Sequence, residues 1–170
     1  MPPKKRLKTT TLLSPLDAAS SLDAATEQLL AAQDAETRQT AARAIAAACD
    51  KRDEDDESTS RDALCILVLM LRGSPDDVEA SALALWKLAR NLENKVSIAR
   101  AAAIPLLVAL LENGTDVAKE KAAAALSHLA TNVDNRVSIT AAGAIPLLVA
   151  LLQNGTAGAT EEAEIGRAHV

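Results

Sequence analysis

Phenylalanine and tyrosine are absent from this 170-residue chain, and tryptophan occurs once, at Trp86. A core without large rings must be assembled from small and medium aliphatic side chains, which suits thin helices packed in layers. Apolar types still make up 49% of the residues, but runs of β-branched and aromatic residues are missing, so strands are not expected and the fold class reads as all-α. With a net charge of −5 there is neither the basic face nor the stacking aromatics of a nucleic-acid binder, and partners with basic segments are favoured. Cysteine is almost missing as well. Cys49 and Cys65 stand alone on helical patterns, which points to a reducing compartment, cytoplasmic and/or nuclear, and to a role as small buried hydrophobes. The longest apolar run, 63–71, falls far short of the roughly 20 residues that cross a bilayer, so no membrane span is expected. Phosphate-binding glycine loops, zinc spacings and hydrolase motifs are also lacking, and neither a cofactor nor a small-molecule substrate is expected.

What is present is a repeat. Residues 91–115 (NLENKVSIARAAAIPLLVALLENGT) return at 132–156 (NVDNRVSITAAGAIPLLVALLQNGT), identical at 18 of 25 positions without a gap. One period earlier the wording changes, but Gly73, Gly114 and Gly155 remain 41 residues apart, as do Leu85/Leu126, Leu88/Leu129, Ala89/Ala130 and Asn91/Asn132. A period of this size marks stacked helical units, none able to bury its apolar face alone.

Each unit has a grammar with physical reasons. Pro105 and Pro146 sit in the first turn of an apolar helix, where a missing N–H is no loss. That helix stops at Asn-Gly, where Gly114 or Gly155 is expected to take the left-handed conformation that closes a helix. A hydroxyl follows, Ser74, Thr115 or Thr156, placed to cap the next helix, and Asp76 and Asp77 add acids at its positive end. Longer helices are predicted over 76–90 and 116–131, then short ones over 95–102 and 136–142.

The chain divides accordingly. Residues 1–16 form a basic tail without helical periodicity, expected to be disordered. Residues 17–50 hold two helices, 17–33 and 36–50, as a degenerate first repeat or cap. Residues 51–60 are an acidic linker, since blocks of like charge repel; the run Asp53-Glu54-Asp55-Asp56-Glu57 lacks the glycine turn and spaced glutamate of a calcium loop. Repeats cover 61–91 and 92–132, and a partial one covers 133–163. Residues 164–170 (EIGRAHV) read as a translated sequencing adapter, an assembly scar outside any fold. The array is therefore expected to be cut short, leaving Leu147, Leu148, Leu151 and Leu152 uncovered and the chain prone to self-association.

Three helices per 41-residue unit, Ile-Pro-Leu-Leu-Val-x-Leu-Leu, then Asn-Gly, then Ala-x-Leu-x-x-Leu-Ala: this resembles the armadillo repeat family over 61–163. HEAT repeats are similar in size but lack the short first helix. The resemblance implies a right-handed superhelical solenoid whose longer helices line a concave groove that receives a peptide. In that family an Asn often clamps the peptide backbone, and importin-α proteins add a Trp one turn earlier. Here those positions carry Lys87 and His128, and Leu83 and Ala124, so an import receptor for basic cargo is not indicated and Lys87 would repel such cargo. Helical spacing places Ala80, Leu83 and Arg90 beside Lys87, and Lys121, Ala124 and Thr131 beside His128. The expected partner-binding residues are Leu83, Lys87, Arg90, Lys121, His128 and Thr131. Trp86 lies beside that face, as inter-repeat packing or as an anchor.

The function implied is a protein-binding scaffold for an extended or helical segment of a partner, with no chemistry of its own. His128 has no nucleophile or carboxylate at partner spacing, and His169 falls in the adapter-like tail. Two rivals are the substrate-recognition part of a U-box-type ubiquitin ligase, and a structural adaptor of longer arrays. Lys4, Lys5, Arg6 and Lys8 resemble a nuclear localisation signal.

Overall fold

The computed structural model describes residues 22–49 and 61–154. Among them are nine helices and no strand: α1 Leu22–Ala31, α2 Ala35–Cys49, α3 Arg61–Met70, α4 Pro75–Leu88, α5 Leu92–Arg100, α6 Ala103–Asn113, α7 Asp116–Leu129, α8 Val133–Ala141 and α9 Ala144–Asn154. The tail, the linker and everything after residue 154 lie outside this set.

The long helices α2, α4 and α7 stack side by side and form the spine, while α1 packs on α2, α3 on α4 and α6 on α7. Leucines and isoleucines one period apart occupy equivalent core places: Leu85/Leu126, Leu88/Leu129, Ile98/Ile139 and Leu107/Leu148 are all buried. Between the spine helices the filling is alanine, with Ala80, Ala82, Ala84, Ala122, Ala123, Ala124 and Ala125 buried, as a core without rings requires.

Caps set the boundaries. The Ser74 hydroxyl accepts from the Asp77 amide at 3.3 Å while the Asp77 carboxylate accepts from the Ser74 amide at 3.2 Å, a reciprocal capping box with Pro75 inside the first turn. Thr115 caps α7 through the Ala118 amide at 3.2 Å. The short helices begin at Leu92 and Val133, three residues before the starts predicted from periodicity, because Asn91 and Asn132 accept the amides of Asn94 and Asn135. At the head of α2, Asp34 accepts the Thr37 amide at 2.8 Å. That bond and the Thr37 hydroxyl hold the Asp34 carboxyl below the usual range.

Measured cap to cap, the first unit is one residue short. Asp34 precedes Ser74 by 40 residues, whereas Ser74 precedes Thr115 by 41. A strict 41-residue register therefore slips by one position in α2.

The glycine expectation needs correcting. Gly114 is extended, φ −77° and ψ 165°, and its requirement is space: a Cβ would stand 2.6 Å from the Leu110 carbonyl oxygen. The left-handed residues lie instead between the short helix and the apolar one, at Ala102 (φ 59°) and Gly143 (φ 80°), one period apart. There the chain bends by 83° between α5 and α6 and by 79° between α8 and α9. Alanine in this region is strained by about 1 kcal/mol relative to glycine. Ala102→Gly should accordingly stabilise the protein by about 0.5–1 kcal/mol in urea unfolding. Gly143→Ala, where a Cβ meets nothing within 4 Å, should destabilise by a similar amount. If both changes move the midpoint the same way, backbone strain is not what distinguishes the two bends.

Two further expectations differ from the structure. Cys65 is exposed on α3 and Cys49 is partly buried, since Cys65 lies on the outer side of a helix whose inner side is Ala63, Leu64, Leu67 and Val68. Leu148 and Leu151 are buried because α9 packs on α6 and α8, and Leu147 and Leu152 are partly so. Cover is lost most at Ile145, 37% exposed where its counterpart Ile104 is 2% exposed, and in part at Val149 and Leu152, whose counterparts Val108 and Leu111 are buried.

Neighbouring units are tied by polar contacts from the same helical position, five residues past each cap. Gln39 donates to the Asp77 carboxylate at 2.9 Å, and Glu79 accepts from the Thr115 hydroxyl at 2.6 Å. Burial acts to raise the Asp77 pKa, but hydrogen bonds from Gln39 and from the hydroxyl and amide of Ser74, with the charge of Arg38, outweigh it and hold the carboxyl below the usual 3.8. A depressed folded-state pKa contributes stability above the unfolded value, and that contribution is lost as pH falls through the folded one. Below about pH 4 the melting midpoint should therefore fall more steeply for the native protein than for Asp77→Asn. Parallel midpoint curves for the two proteins would remove Asp77 from the acid response.

Candidate functional site

The spine presents the face on which the sequence places its partner-binding residues. Ala80 and Ala124 do not reach it: they are 2% and 1% exposed, because α2, α4 and α7 approach closely through their alanines. Leu83, Lys87 and Arg90 are half-buried along and just past α4, and Lys121 and His128 are half-buried on α7. Thr131 is exposed beyond the end of α7, its hydroxyl donating to the His128 carbonyl at 2.8 Å. The nuclear-signal residues Lys4, Lys5, Arg6 and Lys8 and the acidic run 53–57 lie outside the described residues.

Trp86 is what brings two of these residues together. The Lys87 Nζ stands 4.3 Å from the centroid of its ring and the Lys121 Nζ, from the next helix, 4.7 Å. The ring face is electron-rich, so each ammonium is attracted to it, by about 0.5–1 kcal/mol at exposed sites and more where water is excluded. The two charges are therefore at most 9.0 Å apart. Lys121 also pairs with Glu120. The indole packs partly against the core, and its Nε1 is buried without a hydrogen-bond partner. Trp86 is thus both inter-repeat packing and the hub of the charged face.

Three residues escaped the sequence reading. Arg43 is exposed on α2, nine residues past its cap, at the level that Leu83 and Ala124 hold on α4 and α7. Asn94 and Asn135, 2% and 4% exposed, are interior. The Asn135 amide donates to the carbonyls of Lys95 and Leu129, both at 3.2 Å, and beside it Arg136 donates to the Ala130 carbonyl at 2.9 Å. Asn135 thus locks α8 to the end of α7 and to the short helix of the preceding unit. The recurrence Asn91-x-x-Asn94, Asn132-x-x-Asn135 was the available signal.

Away from this face, one cleft of about 270 Å³ is lined by Arg38, Ile66, Leu69, Met70, Gly73 and Asp77. Another of about 250 Å³ is lined by Arg61, Cys65, Ser97, Arg100 and Ala101. Among the described residues no group of three or more His, Cys, Asp or Glu is placed to hold a metal ion.

Solved structures share this architecture. The chain is similar to a designed armadillo repeat protein in complex with the peptide (KR)4, at 21% identity, over 91% of this chain and 72% of that one, with a TM-score of 0.73. It is similar to computationally designed armadillo repeat proteins for modular peptide recognition at 22% identity, over 92% and 72%, with a TM-score of 0.74. A further designed armadillo repeat protein matches at 22% identity, over 91% and 66%, with a TM-score of 0.73. The fold is that of an armadillo solenoid. No family model matches the sequence, and no curated protein does.

Proposed function

We propose that this chain, folded as an armadillo solenoid, is a protein-binding scaffold that receives an extended segment of a partner across the long helices α4 and α7. The observation that carries the reading is the convergence of Lys87 and Lys121 on Trp86, which joins two units into one amphipathic surface. Trp is enriched at binding hot spots because it offers a large area with a polar edge. Leu83, Arg90, His128 and Thr131 extend the surface along the two helices. Two of the similar designed proteins are described by peptide binding, one with (KR)4 and one for modular peptide recognition, which supports this use of the fold. A face spanning few units offers few anchors, so affinities of about micromolar are expected for short segments.

The sole Trp makes the reading directly testable. Peptides selected from a random display library on the immobilised chain should alter Trp86 emission when titrated, and should weaken about tenfold on Trp86→Ala, a loss of about 1.4 kcal/mol. Selected peptides that bind Trp86→Ala as tightly as the native chain, with no change in emission, would place recognition elsewhere.

A further inference from the structure

We infer that the segment received by this face is acidic, with its carboxylates on alternate residues of an extended strand; this rests on the peptide-binding reading above. The chain as a whole carries 23 acidic residues against 18 lysines and arginines, yet the charge is not spread evenly. Residues 37–49, 80–92 and 121–133, which contain most of each spine helix and its exit, hold no Asp or Glu. They hold Arg43, Lys87, Arg90, Lys121 and His128, together with Arg38, which lines the cleft beside Asp77 away from this face. The acids of these helices are confined to their early turns, where several are already engaged: Asp77 by Gln39 and Ser74, Glu79 by Thr115, and Glu120 by Lys121.

Whole-chain charge argues for a basic partner and the local face for an acidic one, and distance decides between them. Screening reduces interactions beyond about 8 Å at physiological salt, so a bound segment responds to the residues it touches. Those residues are cations on successive rungs: Arg43 on α2, Lys87 on α4 and Lys121 on α7. The indole holds the two lysines in place, so less side-chain freedom remains to be lost on binding. Their ammonium groups are at most 9.0 Å apart. In an extended strand, side chains on one side recur every second residue, about 6.6–6.8 Å apart. Carboxylates at positions i and i+2 can therefore meet the two lysines together, whereas adjacent acids point to opposite sides.

The test titrates three peptides, and single-stranded oligothymidylate beside them, into the full chain at low ionic strength and follows Trp86 emission; the peptides are (Glu-Ala)4, (Glu-Glu-Ala-Ala)2 of the same composition, and (Lys-Ala)4. Expected are binding of (Glu-Ala)4 about tenfold tighter than of (Lys-Ala)4, severalfold tighter than of the blocked isomer, and steady weakening as salt is added. Arg43→Glu, at an exposed position, and Lys87→Glu should each weaken it about tenfold, with melting curves recorded to show that the variants fold. The salt dependence of the native chain stands as a readout that needs no variant. Tighter binding of (Lys-Ala)4 overturns the acidic inference and leaves peptide binding intact. No response to any of the three, nor to display-selected peptides, overturns both. Tighter binding of single-stranded oligothymidylate than of (Glu-Ala)4 assigns the cations to nucleic acid and also overturns the inference.

Discussion

Asn135→Ala should destabilise the protein by about 2 kcal/mol, lowering the melting midpoint by roughly 4–8 °C. The Asn135 side chain is 4% exposed, and its amide is a donor shared by the Leu129 carbonyl, at the end of a spine helix, and the Lys95 carbonyl, in the preceding unit. Truncation removes that donor from both carbonyls, while the Leu129 carbonyl keeps the Asn132 amide at 3.1 Å, so the cost is that of two lost buried hydrogen bonds, about 1 kcal/mol each. Asn135→Asp provides the control. A carboxylate of the same shape puts an oxygen where the one Nδ2 faced both carbonyls, so it should be at least as damaging near neutrality and recover part of the loss on acidification, when its proton restores one donor. A loss below about 1 kcal/mol for Asn135→Ala would mean that water replaces the amide at little cost.

Gly114→Ala should destabilise by about 2–3 kcal/mol although the φ of Gly114, −77°, suits any residue. The added methyl would stand 2.6 Å from the Leu110 carbonyl oxygen and 3.1 Å from the Ala118 Cβ. That oxygen accepts the Gly114 amide at 2.9 Å, so it cannot retreat without losing the bond that ends α6. Ala118 is buried at the start of α7, so yielding in that direction moves the spine. The measurement is a urea midpoint at constant slope; an unchanged midpoint would show that the turn relaxes freely. Gly73→Ala differs in kind, because its nearest neighbour is the Asp77 carboxylate at 2.7 Å, and the methyl would displace the capping box rather than bend the turn.

The stacked units, the hydroxyl caps and the buried leucine pairs were legible because each is written twice, 41 residues apart. What was not legible had a physical cause in each case. Arg43 was passed over because the strict period sets Ala42 opposite Leu83; only the Asp34 cap shows that α2 is shifted by one residue. Asn135 was passed over, since nothing in the spelling of Asn-x-x-Asn says that the second turns inward under two carbonyls. Gly114 was assigned the commoner of the two reasons for glycine, conformation, where the structure requires the other, space. Trp86 was set beside the charged face, but the reach of Lys121 across to it depends on how closely alanine lets the helices approach.

That closeness has a spectroscopic consequence. With Trp86 as the only aromatic residue in the sequence, ultraviolet emission reports one rung, the α4–α7 contact, while circular dichroism at helical wavelengths averages every unit. In a linear array, stability is a sum of unit and nearest-neighbour terms, and all-or-none melting is not guaranteed. The separation between the two melting curves is therefore a direct measure of cooperativity. Coincident curves mean that the alanine-packed spine transmits unfolding along its whole length, and an earlier dichroism transition means that the outer units open while the central rung holds.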